Sequence, residues 1–206
     1  DLKTGASKVS DRDWNDMECG EGIDRMTLGL AGVQLQLMQE VYRLGKELVV
    51  VYMNGRPIAE PWVEEHAHAI VEAWYPGQEG GHAIADILFG DVNPSGRLTL
   101  SIPKHVGQLP VYYNGKRSRG KRYLEDDAAP RYPFGYGLSY TTFSYERLTL
   151  SANSIRSGES VLVTVDVTNT GEREGTEVVQ LYISDTVSSV TRPIRELKGF
   201  CKVVLQ

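Results

Sequence analysis

The chain has 206 residues, 41% of them hydrophobic and 24% charged, the profile of a soluble globular protein of one large or two modest domains, which excludes the disordered and fibrous classes. The formal net charge is −5 with no basic stripe or block of like charge, so nucleic acid is not an expected partner and a neutral or small polar ligand fits better. The longest apolar run, near Leu48 to Met53, is too short to span a bilayer, and residues 1 to 20 hold no signal-peptide core, so no membrane is expected as a partner and no compartment is assigned.

In chain order, residues 1 to 20 are rich in Asp, Ser, Lys and Gly without a sustained period and read as an irregular loop. From Gly32 the pattern becomes helical. Val33, Leu37, Met38, Val41 and Leu44 recur at steps of three and four, and Gly45 stands just past the last of them as a terminator. Glu47 to Met53 is an apolar, β-branched run of strand length, of the kind buried on both faces in a parallel sheet. A second helix is expected over Pro61 to Ala67 and a second short buried strand over Ile70 to Trp74. Gly77, Gly80 and Gly81 then break the chain before a third helix, His82 to Phe89, which stops at Gly90. This alternation predicts an α/β domain with a mostly parallel sheet and crossover helices. Too few crossover units are present to close a doubly wound sheet, so the domain reads as partial. Asn93-Pro94-Ser95-Gly96 is a strong turn signal, and Arg97 to Ile102 alternates like an edge strand.

The character changes near Phe143. Beyond it only strands separated by turns are expected: Glu146 to Ser151, Ser160 to Thr168, Thr176 to Ser184 and Glu196 to Val204. Val161, Val163, Val165 and Val167 alternate with Leu162, Thr164, Asp166 and Thr168, which suits a sheet with one face on a core. The expected division is therefore an α/β sandwich portion over 1–143 and an all-β sandwich of the immunoglobulin or fibronectin III kind over 144–206. The second part reads as truncated, because about 60 residues falls short of the roughly 100 such a domain uses.

The stretches NGRPIAEPW, AIVEAWYPGQEGGHAIADILFGDVNPSGRL, IPKHVGQLPVYYN and RYPFGYGLSYTTFSY resemble the second domain of family 3 glycoside hydrolases. VTNTGEREGTEVVQLYISD and TRPIRELKGF resemble the fibronectin type III domain that follows it. The resemblance covers nearly the whole chain. It implies part of a retaining, exo-acting β-glycosidase, a β-glucosidase first and a β-xylosidase as the alternative, acting on terminal β-linked sugars. It also implies that the site lies between the α/β sandwich, which brings a general acid/base glutamate on a loop, and a catalytic barrel that brings an aspartate nucleophile. Ser10-Asp11 with Trp14 has some likeness to the family's nucleophile motif, but it sits in a polar loop with the wrong spacing to Trp. The nucleophile is therefore expected on a barrel in a missing segment or a separate chain, and these residues alone are not expected to hydrolyse a glycoside.

The loop Glu18 to Arg25, ECGEGIDR, carries the chemistry in this reading. A retaining glycosidase needs two carboxyls about 5 to 5.5 Å apart, one ionised to attack the anomeric carbon and one protonated to release the leaving oxygen. The protonated one needs a raised pKa, from partial burial or a negative neighbour. Glu21, flanked by Gly20 and Gly22 and followed by Asp24-Arg25, is the candidate acid/base, and Glu18 is the alternative. Asp24 and Arg25 are expected to support the loop by hydrogen bonds and charge pairing. Trp14 is a candidate stacking wall for a sugar in a leaving-group subsite, against the plainer reading that it packs its own loop.

The other conspicuous residues read as structure. PGQEGG lacks both the Lys-Ser/Thr of a phosphate loop and dinucleotide spacing, so its glycines are turn residues. His66, His68, His82 and His105 form no metal-ligand pattern, and neither metal nor cofactor is expected. Trp62 and Trp74 are expected in packing, Arg122, Tyr123 and Asp126 in a loop near the same cleft, and Tyr132 to Tyr140 in a wedge between the two domains. Cys19 and Cys201 are expected as reduced thiols. A noncatalytic carbohydrate-binding or scaffold module is the reading from another class, and a glycine-flanked glutamate is what such a module has no use for.

Overall fold

The computed structural model describes residues 25–116 and 123–206. Gln34–Arg43 forms helix α1, which ends where Gly45 takes a φ of +67° that a side chain would strain. The β-branched run that follows supplies strand β1, Val49–Tyr52. Helix α2, Pro61–His66, opens on a proline whose missing N–H costs nothing at a helix start, and Ala67 turns extended to end it. Strand β2, Ala69–Glu72, then lies parallel to β1 with Val50 opposite Ile70 and Tyr52 opposite Glu72. A parallel pair needs a crossover connection, and α2 is that connection.

These elements bury one core. Leu48, Val50, Tyr52 and the fully buried Val63 form its centre, with Leu30, Leu35, Met38, Ile58, Trp62, Ala67 and Ile70 packed around it. On α1 the outcome differs from the face expected from periodicity. Met38 packs inward together with Leu35, whereas Val33, Leu37 and Leu44 remain 69%, 64% and 71% exposed. The helix has apolar residues on more than one side, and periodicity alone does not say which side meets β1. Tyr42 meets Trp62 edge to face at 5.6 Å, and Trp62 stacks on His66 at 4.5 Å, so the expected packing role of Trp62 holds.

Helix α3, Gly80–Phe89, follows the glycine-rich turn. A Cβ on Gly80 would come within 2.6 Å of the Pro76 ring, so the close return of the chain before α3 requires glycine there. The expected edge strand over Arg97 to Ile102 is not a ladder. Leu98 exchanges backbone bonds with Tyr136 and Gly135, and Ile102 makes an isolated bridge to Tyr132. Pro103 comes next, fully buried and without an N–H to continue pairing.

The remaining strands are β3 (Phe143–Leu150), β4 (Val163–Asn169), β5 (Gly175–Ile183) and β6 (Glu196–Leu205). β3 pairs antiparallel with β4, and β5 with β6, each with one register shift. The parallel α/β portion followed by antiparallel β-pairs is the fold class the sequence predicts. By compactness the described chain falls into two units, one of residues 25–80, 101–112 and 123–133, the other of 81–100, 113–116 and 134–206. Within the second, Asn93 Oδ1 accepts from Ser139 Oγ and the Tyr140 N–H, while its Nδ2 donates to Glu174 O at 2.9 Å. Among the described residues no helix is long and apolar enough to cross a membrane.

Candidate functional site

Glu18, Glu21, Asp24, Trp14 and Arg122 lie outside the described residues. Arg25 is the one member of the expected acid/base loop that the structure places, and it opens a segment tied to the carboxyl end of β1. Its guanidinium donates to Thr27 Oγ1 at 3.5 Å and to Leu30 O at 3.4 Å, folding the side chain along its own loop. The connection from β1 to α2 grips the same segment at three points. Ala59 N–H donates to Leu28 O at 2.9 Å, Arg56 Nη1 to Thr27 O at 3.3 Å, and Leu30 N–H to Glu60 Oε2 at 3.4 Å. The backbone bond is well formed, and the two side-chain bonds are longer than the usual range.

Under this grip the carboxyl ends of the parallel strands hold a polar cluster. Asn54 Nδ2 donates to Arg56 O at 2.5 Å and reaches Glu72 Oε2 at 3.5 Å, and the Trp74 N–H donates to Glu72 Oε1 at 3.4 Å. Trp74 sits at a φ of +50°, uncommon for a bulky side chain. Burial pushes the Glu72 carboxyl up to about 7 against the opposing pull of those two N–H donors. Burial likewise raises Glu64, although Arg131 Nε stands 2.7 Å from its Oε2 and pulls the other way. The Tyr52 hydroxyl is raised by burial first and then by Glu64, Glu60 and Glu72. In parallel sheets the carboxyl ends of strands are where ligands and functional loops gather. The arrangement can therefore carry a functional loop on a rigid base rich in carboxyls.

The neighbouring loop residues have structural duties. Tyr123 Oη donates to Gly107 O at 2.9 Å and its ring meets His105 edge to face. Lys104 Nζ lies 2.7 Å from Asp126 and 2.8 Å from Asp127, and its hydrogen bonds hold both carboxyls below the usual range. Sequence reasoning passed over Arg56, Glu60 and Glu72. The signal for Glu72 was a carboxylate inside an apolar strand run; for Arg56 and Glu60 no local signal existed, because their partners stand about 30 residues away.

Residues 6–140 match the Glycosyl hydrolase family 3 C-terminal domain, and residues 177–206 match the Fibronectin type III-like domain. The class is thus a glycoside-hydrolase α/β module followed by a fibronectin-like one. The chain belongs to glycoside hydrolase family 3. It is 44% identical over 197 residues to a periplasmic beta-glucosidase of Salmonella typhimurium, covering 90% of this chain and 26% of that protein. It is 45% identical to a beta-xylosidase of Formosa agariphila, covering 91% of this chain and 27% of that protein. Among solved structures it is similar to a β-glucosidase from Erythrobacter marinus, with a TM-score of 0.85 at 49% identity over 89% of this chain and 24% of that one. A beta-glucosidase from Listeria innocua in complex with glucose also gives 0.85, at 35% identity over 98% of this chain and 32% of that one. The chain spans about a quarter of the length of the curated relatives it matches.

Proposed function

We propose that the chain serves in a retaining, exo-acting β-glycosidase, a β-glucosidase that removes terminal non-reducing β-D-glucosyl residues, with Glu21 as general acid/base. Residues 1–143 form the module that brings this glutamate, and residues 144–206 the fibronectin-like module that follows it in sequence. The observation that carries the reading is the family match over residues 6–140, which takes in Glu21 four positions before the anchored Arg25. An aspartate on a barrel outside these residues attacks the anomeric carbon while the Glu21 carboxyl gives its proton to the leaving oxygen, and the glycosidic bond breaks. The Glu21 carboxylate then takes a proton from water, which attacks the same carbon and releases the aspartate. The β-xylosidase reading is kept because one relative at 45% identity carries that name.

The test uses the full-length protein that carries this segment. With Glu21→Ala, kcat/KM on an alkyl β-glucoside is expected to fall by about 100-fold or more, while kcat/KM on the 2,4-dinitrophenyl glucoside, whose leaving group needs no proton, stays within a few-fold. Equal behaviour of both substrates would remove Glu21 from this role, and a selective loss in Glu18→Ala instead would transfer it. Running the xyloside series alongside decides between the two sugars.

A further inference from the structure

We propose that Arg56 and Glu60, on the connection between β1 and α2, are positioning residues that set the direction of the loop bearing the acid/base, a role that rests on the Glu21 reading. Three residues separate Glu21 from Arg25, so whatever fixes residues 25–30 limits where the Glu21 carboxyl can reach. Those residues are gripped from one side by one short loop. Arg56 Nη1 binds Thr27 O, the Ala59 N–H binds Leu28 O, and Glu60 Oε2 accepts from the Leu30 N–H. The fit is close: a Cβ on Gly29 would stand 3.0 Å from Glu60 Oε2. The gripping loop is itself held, since Asn54 Nδ2 binds Arg56 O at the end of β1, and Ala59 is buried beside Ile58 of the core. Residues 27 to 30 are thus tied to the connection that leaves the parallel strand pair, through contacts about 30 residues distant in sequence.

Such a clamp acts through geometry. A displacement of about 1 Å at a reacting group costs on the order of 100-fold in rate, and here the displaced group matters only when the leaving oxygen must be protonated. In the full-length protein, Arg56→Ala and Glu60→Leu are expected to lower kcat/KM on an alkyl β-glucoside by about 10-fold or more while leaving the 2,4-dinitrophenyl glucoside within about threefold. Glu60→Gln, which keeps an oxygen for the Leu30 N–H, and Arg56→Lys, which keeps a donor, recover most of that selective loss. A role in folding alone would reduce the active fraction and lower both substrates together, so equal losses overturn the proposal, as does no loss on either. Glu21→Ala run in parallel separates the two claims. If it shows the selective loss and the Arg56 and Glu60 variants do not, the clamp is wrong; if it does not show it, the identity of the acid is wrong and the clamp falls with it.

Discussion

Glu72 is the residue where burial and hydrogen bonding oppose each other most plainly. Two N–H donors favour its ionised form, yet burial prevails and lifts the carboxyl from 4.5 to about 7. The folded chain therefore holds a proton, between about pH 4.5 and 7, that the unfolded chain gives up. Stability from the protonated carboxyl is full below the unfolded value and is lost as pH rises through the folded one. Glu72→Gln keeps an acceptor for the Trp74 N–H and removes the titration. It should unfold at nearly the wild-type temperature at pH 5 and at a higher one at pH 8. A fully buried shift of this size would be worth about 3 kcal/mol, and partial exposure reduces that to roughly 1 kcal/mol. Parallel pH dependence of the two melting curves would contradict the assignment. The carboxylate was visible in the sequence as an acid within an apolar strand run; its raised pKa follows from the partial burial in which β2 holds it.

At the scale of elements, the strands and helices were legible where one face alone could be buried, and less so elsewhere. β4, β5 and β6 fall within a few residues of the expected runs, because alternation and turn residues bound them. The inward face of α1 was misread because Leu37 and Met38, adjacent in sequence, point to different environments. Arg97 to Ile102 alternates as a strand does, yet its alternation serves another purpose. Arg97 reaches Glu177 of β5 at 2.5 Å with both side chains 11% exposed, and Tyr145 of β3 donates to the same carboxylate at 2.7 Å. Removing one charge leaves the other buried and unpaired, so Arg97→Met and Glu177→Gln should each destabilise by about 3 kcal/mol. The double variant Arg97→Met/Glu177→Gln should cost at least about 1 kcal/mol less than the sum of its singles. Urea unfolding measures both quantities, and additive losses would show that the pair is not coupled.

At the scale of the whole molecule, the glycine-punctuated run Ala69 to Leu98 made the family legible through its resemblance to the second domain of family 3 glycoside hydrolases, which the family match bears out. That same run builds scaffold. The chemistry proposed for the chain belongs to the loop around Glu21, and a lone glycine-flanked glutamate carries no sequence signal of such a role. What the structure adds is the grip of Arg56, Ala59 and Glu60 on residues 27 to 30, which follow that loop in sequence. The central claim is that Glu21 supplies the proton in a retaining mechanism, and the most direct measurement is product analysis with azide in the full-length Glu21→Ala protein. Azide needs no base, so it should attack the glycosyl-enzyme, restore turnover of the 2,4-dinitrophenyl glucoside and yield the β-glucosyl azide. No azide product would contradict the acid/base assignment, and an α-glucosyl azide would show that Glu21 is the nucleophile instead.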